Sequence, residues 1–223
     1  MSTTAEADAA SVAILPTPYY QDDAVTIYHG DCREILPTLG RFDLLLTDPP
    51  YGLNEKLRGG KSGMMGGCFN EMVDMGWDVR PDSQTILALI AKADNYVIWG
   101  ANYFCESIKP NQCFLVWDKM NGTNQMADCE MAMTTFRGGA RMFSRHHFSR
   151  GCRGKSHPTQ KPLPVIQWCL SFAPDAETIL DPFAGSGTTG VAAKLEGRKA
   201  TLIEIEESYC EIAANRISQG VLF

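Results

Sequence analysis

Asp48-Pro49-Pro50-Tyr51 places a carboxylate, two rigid residues and an aromatic ring in four consecutive positions. A carboxylate and a turn carbonyl can accept the two N–H bonds of an exocyclic amino group, while the ring stacks on the heterocycle bearing it. The same residues would also serve as a surface turn in which Asp caps a neighbouring segment and Tyr packs on Pro. A second constellation begins at another acid, Asp181, followed by Pro182-Phe183-Ala184-Gly185-Ser186-Gly187-Thr188-Thr189-Gly190. Gly185, Gly187 and Gly190 satisfy G-x-G-x-x-G, with Glu204 about 20 residues on, where an acid can bond ribose hydroxyls. Two cofactors fit this pattern. A nicotinamide dinucleotide would set its pyrophosphate on the helix N-terminus. S-adenosylmethionine offers a ribose and a cationic tail without phosphate, and Asp181 and Phe183 favour it, because a carboxylate beside the turn repels pyrophosphate. A glycine turn serving only tight strand–helix packing is the third possibility.

Both constellations must sit at strand ends. Leu44, Leu45 and Leu46 suit a strand buried on both faces, Phe42–Thr47, which two prolines must terminate. Thr178–Leu180 reads as the strand before the glycine turn, Thr188–Leu195 as the helix after it, and Ala200–Ile205 as the next strand. Elsewhere the pattern predicts strands at Val25–Tyr28, Tyr96–Trp99 and Phe114–Asp118. Helices are expected over Cys32–Leu39, from Pro81-Asp82-Ser83, over Ala101–Ile108, from Pro162, and over Glu207–Ser218. The helix from Pro162 carries an apolar stripe of Val165, Ile166, Cys169 and Leu170. The last buries Tyr209, Ile212, Ala213 and Ile217. Glu130–Phe136 and Ala140–Phe148 read as a hairpin around Gly138-Gly139. Alternating strands and helices predict a Rossmann-like α/β fold, with a mainly parallel sheet covered on both faces. Only one strand and one helix follow the glycine turn. A nucleotide-binding sheet needs a further strand there, and Val25–Asp31 at the front of the chain can supply it.

The chain has 223 residues, enough for one domain with a substantial core. Residues 1–18 read as a disordered tail without signal-peptide features, and residues 19–223 as a single domain. No apolar stretch approaches the roughly 20 residues that span a bilayer. The eight cysteines include no C-x-x-C pair, so a zinc or redox motif is not expected, and a reduced cytoplasm suits them. Cys113 and Cys169 lie in apolar runs and read as inert core. Net charge is −6, yet residues 137–161 hold Arg137, Arg141, Arg145, Arg150, Arg153, Lys155 and Lys161 with no acid. Such a strip is either a solvated loop or a phosphate-binding surface. The interleaved Phe143 and Phe148 favour nucleic acid. Residues 52–76, rich in glycine, read as a mobile loop that orders over DNA and cofactor.

The Asp48-Pro49-Pro50-Tyr51 turn, with Asp181-Pro182-Phe183-Ala184-Gly185-Ser186-Gly187 far downstream, resembles the amino-group DNA methyltransferases. The order, with the catalytic turn first and the cofactor turn last, is similar to their circularly permuted beta group. So is His157-Pro158-Thr159-Gln160-Lys161-Pro162 before a helix. The resemblance runs from about Ala24 to Ala214. It implies that Asp48, Pro49, Pro50 and Tyr51 are catalytic. It also implies that S-adenosylmethionine is held by Asp48, Asp181, Phe183, Ala184, Gly185, Ser186, Gly187, Thr188 and Glu204, with Thr159 and Lys161 shaping the pocket. Asp31 resembles the contact to the cofactor adenine and equally suits a helix N-cap, two compatible roles. The implied partner is double-stranded DNA, read by residues of about 120–157. A homodimer and a cognate restriction nuclease are left open. Asp at the first position of the turn resembles the adenine-N6 enzymes more than the cytosine-N4 ones, which stay the alternative. An NAD-dependent oxidoreductase, an RNA or protein amino-methyltransferase and a catalytically silent DNA-binding module are further rivals. The first leaves Asp48-Pro49-Pro50-Tyr51 and the basic strip unexplained.

Overall fold

The structure is a computed structural model that describes residues 15–53, 78–109, 111–120, 127–146 and 160–219. The elements in chain order begin with β1 (Tyr20–Gln21), β2 (Val25–His29), α1 (Cys32–Ile35), β3 (Phe42–Thr47) and α2 (Ser83–Ile90). Next come β4 (Ala93–Trp99), β5 (Phe114–Asp118), β6 (Cys129–Thr134) and β7 (Arg141–Ser144). The chain then forms α3 (Leu163–Leu170), β8 (Thr178–Asp181), α4 (Thr188–Leu195), β9 (Lys199–Glu204) and α5 (Glu207–Ser218). Among the described residues the strands form one sheet in the order β1-β2-β9-β8-β3-β4-β6-β5-β7. The run from β2 to β4 is parallel throughout. The expected Rossmann-like α/β architecture is therefore present.

The order follows from burial. Leu44, Leu45 and Leu46 are fully buried. Leu44 and Leu46 join Ile179, Leu202, Val165 and Val191 on the face covered by α3, α4 and α5. Leu45 joins Leu180, Ile203, Ile35, Ile86 and Leu89 under α1 and α2. Covering a leucine this fully stabilises by about 1.5–3 kcal/mol, so a strand with three in succession belongs in the middle of a sheet. Asp43 locks β3 to β8, accepting from the Thr178 backbone N–H at 2.8 Å. As expected from the chain order, β2 closes the sheet beside β9, with His29 level with Glu204.

Several expectations need correction. β6 and β7 do not form a hairpin. β6 lies antiparallel between β4 and β5, while β7 runs parallel to β5 at the sheet edge. The chain around Gly138-Gly139 passes across β5 rather than turning back on β6, so β7 pairs in parallel along the far edge of β5, with Phe143 its one half-buried side chain. Ala101–Ile108 is not a helix. Only Ala101–Tyr103 forms a 3-10 turn, started by Gly100 at a left-handed φ of 73°. The helix over Cys32–Leu39 is α1 followed by a 3-10 turn, because Pro37 cannot continue the α-helical bonding. α5 has the expected bounds but buries Cys210, Ala213 and Ile217, leaving Tyr209 and Ile212 half-exposed. Cys113 and Cys169 are buried as expected. Most of the 52–76 loop, the tail up to residue 14, His157 and Thr159, and the basic residues Arg150, Arg153 and Lys155 lie outside the described residues. No helix among the described residues is long and apolar enough to cross a membrane.

Candidate active site

Because β3 and β8 are parallel neighbours, their carboxyl ends open on the same edge. Ligands in open α/β sheets bind at such an edge. A cavity of about 210 Å³ lies there, lined by both turns: Asp48, Pro49, Pro50 and Tyr51 from one side, Asp181, Phe183, Gly185 and Ser186 from the other. Ala184, Thr188, Glu204 and Lys161 also line it. Two of the described cofactor candidates are not among the lining residues. Gly187 serves as the left-handed N-cap of α4, at φ 75°. Asp31 caps α1 through the Arg33 N–H at 2.8 Å and pairs with the Arg33 side chain.

Asp181 is buried. It accepts from Thr47 Oγ1 at 2.8 Å, from Thr189 Oγ1 at 2.6 Å and from the Phe183 N–H at 3.2 Å. Burial pushes its pKa up to about 6 against those three hydrogen bonds, and the nearby Asp48 charge adds to the rise. Glu204 uses both oxygens on backbone, taking Gly185 N–H at 2.7 Å and Glu206 N–H at 2.9 Å. Burial still holds its pKa above the ordinary value. The Gly185 N–H is thus turned to a carboxylate, and two acids flank the turn. A pyrophosphate would meet repulsion there, whereas a cationic ligand would be stabilised. The donor set therefore fits S-adenosylmethionine better than a dinucleotide. Asp181 would hold its charged tail and Glu204 its ribose edge.

Asp48 carries a different partner on each oxygen. Lys161 Nζ donates to Oδ2 and the Tyr51 hydroxyl to Oδ1. Burial pushes the Asp48 pKa up, and the Lys161 ammonium opposes that rise. The Tyr51 ring is not free-standing. It stacks on Tyr103 with centroids 4.6 Å apart at 16°. A Cβ at Gly100 would fall 2.2 Å from Tyr51 Cε1, so only glycine admits the ring there. Burial raises the Tyr51 pKa well above its ordinary value, and the Asp48 charge adds to this, so the phenol stays a donor.

Several site residues carried no sequence signal. Trp99 lines the cavity from the end of β4, and Lys161 Nζ lies 5.0 Å from its ring centroid. Glu130 binds Lys161 at 3.0 Å and Lys119 at 2.5 Å. Arg216 on α5 reaches the glycine turn, donating to Ser186 Oγ at 2.8 Å. These residues are separated in sequence from the motifs they serve, so spacing could not reveal them. A single unpaired charge in an apolar strand, such as Glu130 in Cys129–Thr134, was the one available hint. Of the basic strip, Arg137, Arg141, Arg145 and Lys161 are described; the three arginines are exposed around β7, whereas Lys161 is buried against Asp48 and Glu130 and is not free for phosphate.

A parallel sheet with a carboxylate turn and a glycine turn meeting at one switch point defines a Rossmann-like nucleotide-site fold of the methyltransferase kind. The DNA methylase model of the N6/N4 methyltransferases matches residues 109–215. The type II methyltransferase M2.LlaDCHI of Lactococcus lactis subsp. cremoris is 27% identical over 263 residues, spanning 94% of this chain and 95% of its own. Among solved structures, the M1.HpyAVI–SAM complex superposes with a TM-score of 0.60 at 24% identity, covering 86% of this chain and 98% of that one. The cytosine-N4-specific PvuII DNA methyltransferase gives 0.56 at 16% identity, covering 91% and 95%. Together the family model and the relative support a DNA methyltransferase of the N6/N4 class, and the structures show its fold.

Proposed function

We propose that this chain transfers a methyl group from S-adenosylmethionine to the exocyclic N6 of an adenine turned out of duplex DNA. The observation that carries the reading is the convergence of Asp48 and Asp181 on one cavity from strands that lie side by side. S-adenosylmethionine supplies an electrophilic methyl on a sulfonium, and the chain's own residues do the rest. Asp48 and the Pro49 carbonyl accept the two N–H bonds of the amine, which turns its lone pair out of the ring and toward the methyl. The carboxylate also stabilises the positive charge that develops on nitrogen as the N–C bond forms and the S–C bond breaks. One N–H proton then leaves by way of Asp48 to solvent, and the sulfur departs as a neutral thioether. Holding both reactants on rigid strand ends supplies alignment. The amine takes the place of the Tyr51 hydroxyl at Asp48 Oδ1. Once it leaves its stack on Tyr103, the Tyr51 ring can stack on the base instead, returning roughly 1–3 kcal/mol of the cost of eversion. No covalent enzyme intermediate is required.

DNA would lie along the exposed Arg137, Arg141 and Arg145, with Arg150, Arg153 and Lys155, which follow in sequence, as further candidates for phosphate contact. Residues of about 120–157 would read sequence. Cytosine N4 is the second reading, because the same fold serves a cytosine-N4-specific enzyme. The deciding experiment is sequencing of modified bases in DNA from a host expressing this chain. N6-methyladenine at a defined short site is expected. N4-methylcytosine would replace the first reading with the second, and unmodified DNA would end both. The likeness to a type II methyltransferase makes a cognate restriction nuclease the partner to seek.

A further inference from the structure

Asp48 does not stand alone with Lys161. The chain of contacts continues from Lys161 to Glu130 and on to Lys119, so two buried ammonium groups alternate with two partly exposed carboxylates in one row. Lys161 and Lys119 are nearly inaccessible, with side chains 6% and 7% exposed. Each also faces a buried indole: Lys119 Nζ lies 5.4 Å from the Trp117 ring centroid, and Lys161 lies over Trp99. Sheet topology makes the row possible. β6 runs antiparallel to its neighbours β4 and β5, so its first residues reach the edge where the parallel strands end. Glu130 sits level with Trp117 on β5, and Ala132 level with Trp99 on β4.

We propose that Glu130 is a positioning residue for methyl transfer, acting through Lys161 to hold the ammonium on Asp48 Oδ2 and leave Oδ1 available to the substrate amine. The inference rests on Asp48 being the amine acceptor. A lone Lys161–Asp48 pair would let the ammonium collapse onto the carboxylate and compete with the amine for both oxygens. Glu130 divides the donors of Lys161. One goes to Glu130, one to Asp48 Oδ2, and Oδ1 is left for a neutral donor, the place now held by the Tyr51 hydroxyl. The charges keep Lys161 an ammonium, while the Glu130 charge itself works to raise Asp48, so the contribution of Glu130 is to hold the ammonium in place. Desolvation works against the Lys161 ammonium, and Asp48 and Glu130 together more than offset it. Burial works to raise Glu130, but Lys161 and Lys119 outweigh it and draw its pKa down to about 2. The other titratable groups facing this row are Tyr51, Asp181 beside Asp48, and Cys169 of α3 beside Lys161, whose thiol burial keeps neutral.

The test uses the full chain in single-turnover transfer of labelled methyl from S-adenosylmethionine to unmethylated duplex DNA, from about pH 6 to about pH 10. In Glu130→Gln, Lys161 loses one of its two carboxylates and releases its proton at lower pH. The donor it no longer spends on Glu130 is then free to close on Asp48 Oδ1, where it competes with the substrate amine. The transfer rate should fall roughly 10- to 100-fold, and the alkaline limb should move down by about one unit, while the Kd for S-adenosylmethionine stays within about threefold. Adding Glu130→Gln to Lys161→Met should cost nothing beyond Lys161→Met alone. Should Glu130→Gln fail to fold, Glu130→Asp carries the test, with a smaller rate loss and a smaller shift in the same direction. A wild-type rate with an unmoved alkaline limb in whichever variant folds would overturn the inference. So would independent, multiplying effects of the two substitutions, or equal loss of cofactor binding and transfer. An inactive wild-type chain would instead refute the reading of Asp48 itself, and the inference would fall with it.

Discussion

Replacing Asp48 with alanine isolates the chemical step from cofactor binding. The substitution removes the carboxylate that accepts from the amine, yet it does not orphan the buried Lys161, which keeps Glu130 at 3.0 Å. Nor does it break a hydrogen bond of Asp181 or Glu204, whose partners are Thr47, Thr189 and backbone N–H groups, and the loss of the Asp48 charge only eases ionisation of Asp181. Cofactor affinity should therefore change by less than about threefold. Removing one preorganised group that faces developing charge in a water-poor site costs about 2.7–4 kcal/mol, which corresponds to a rate loss of about 10² to 10³. Asp48→Asn keeps a carbonyl acceptor and should lie between alanine and wild type. Calorimetric titration of S-adenosylmethionine and single-turnover transfer to duplex DNA measure the two quantities separately. If Asp48→Ala turns over within tenfold of wild type, or loses cofactor binding as severely as transfer, the assigned role is wrong.

The Asp181 carboxyl, raised by burial to about 6, is largely protonated below that pH in the free protein, while a cationic ligand needs it ionised. Affinity for S-adenosylmethionine should thus fall toward tenfold per pH unit below about 6, and calorimetry should show Asp181→Asn binding about 10- to 100-fold more weakly with that dependence flattened. At Gly187, φ is 75° and an added Cβ would lie 2.7 Å from Ala213 Cβ, so Gly187→Ala combines backbone strain with a clash against α5. A loss of about 2–4 kcal/mol is expected, seen as a Tm lowered by roughly 5–15 °C in thermal unfolding. For DNA binding, each of Arg137→Ala, Arg141→Ala and Arg145→Ala should reduce the slope of log affinity against log salt by about 0.9 if that arginine contacts phosphate; an unchanged slope in all three would place DNA elsewhere.

The two turns and the strands before them were legible because each is written in contiguous residues. Three leucines, two prolines and an aromatic ring can only be a buried strand that stops abruptly, and a strand–glycine–helix run has few other uses. The place of the first long strand was legible too, since one strand and one helix after the glycine turn leave a position that Val25–Asp31 can supply, and β2 does lie beside β9. What tertiary structure alone decided was everything that depends on which strands become neighbours. Antiparallel insertion of β6 between β4 and β5 dissolved the expected hairpin, and the same reversal carried Glu130 to the catalytic edge. The pairing of Asp48 with Lys161 and the capture of the Gly185 N–H by Glu204 are likewise products of that assembly. Local sequence fixes where a chain must bend, but partners for buried charges are chosen by packing across the sheet, and that choice leaves no period to read.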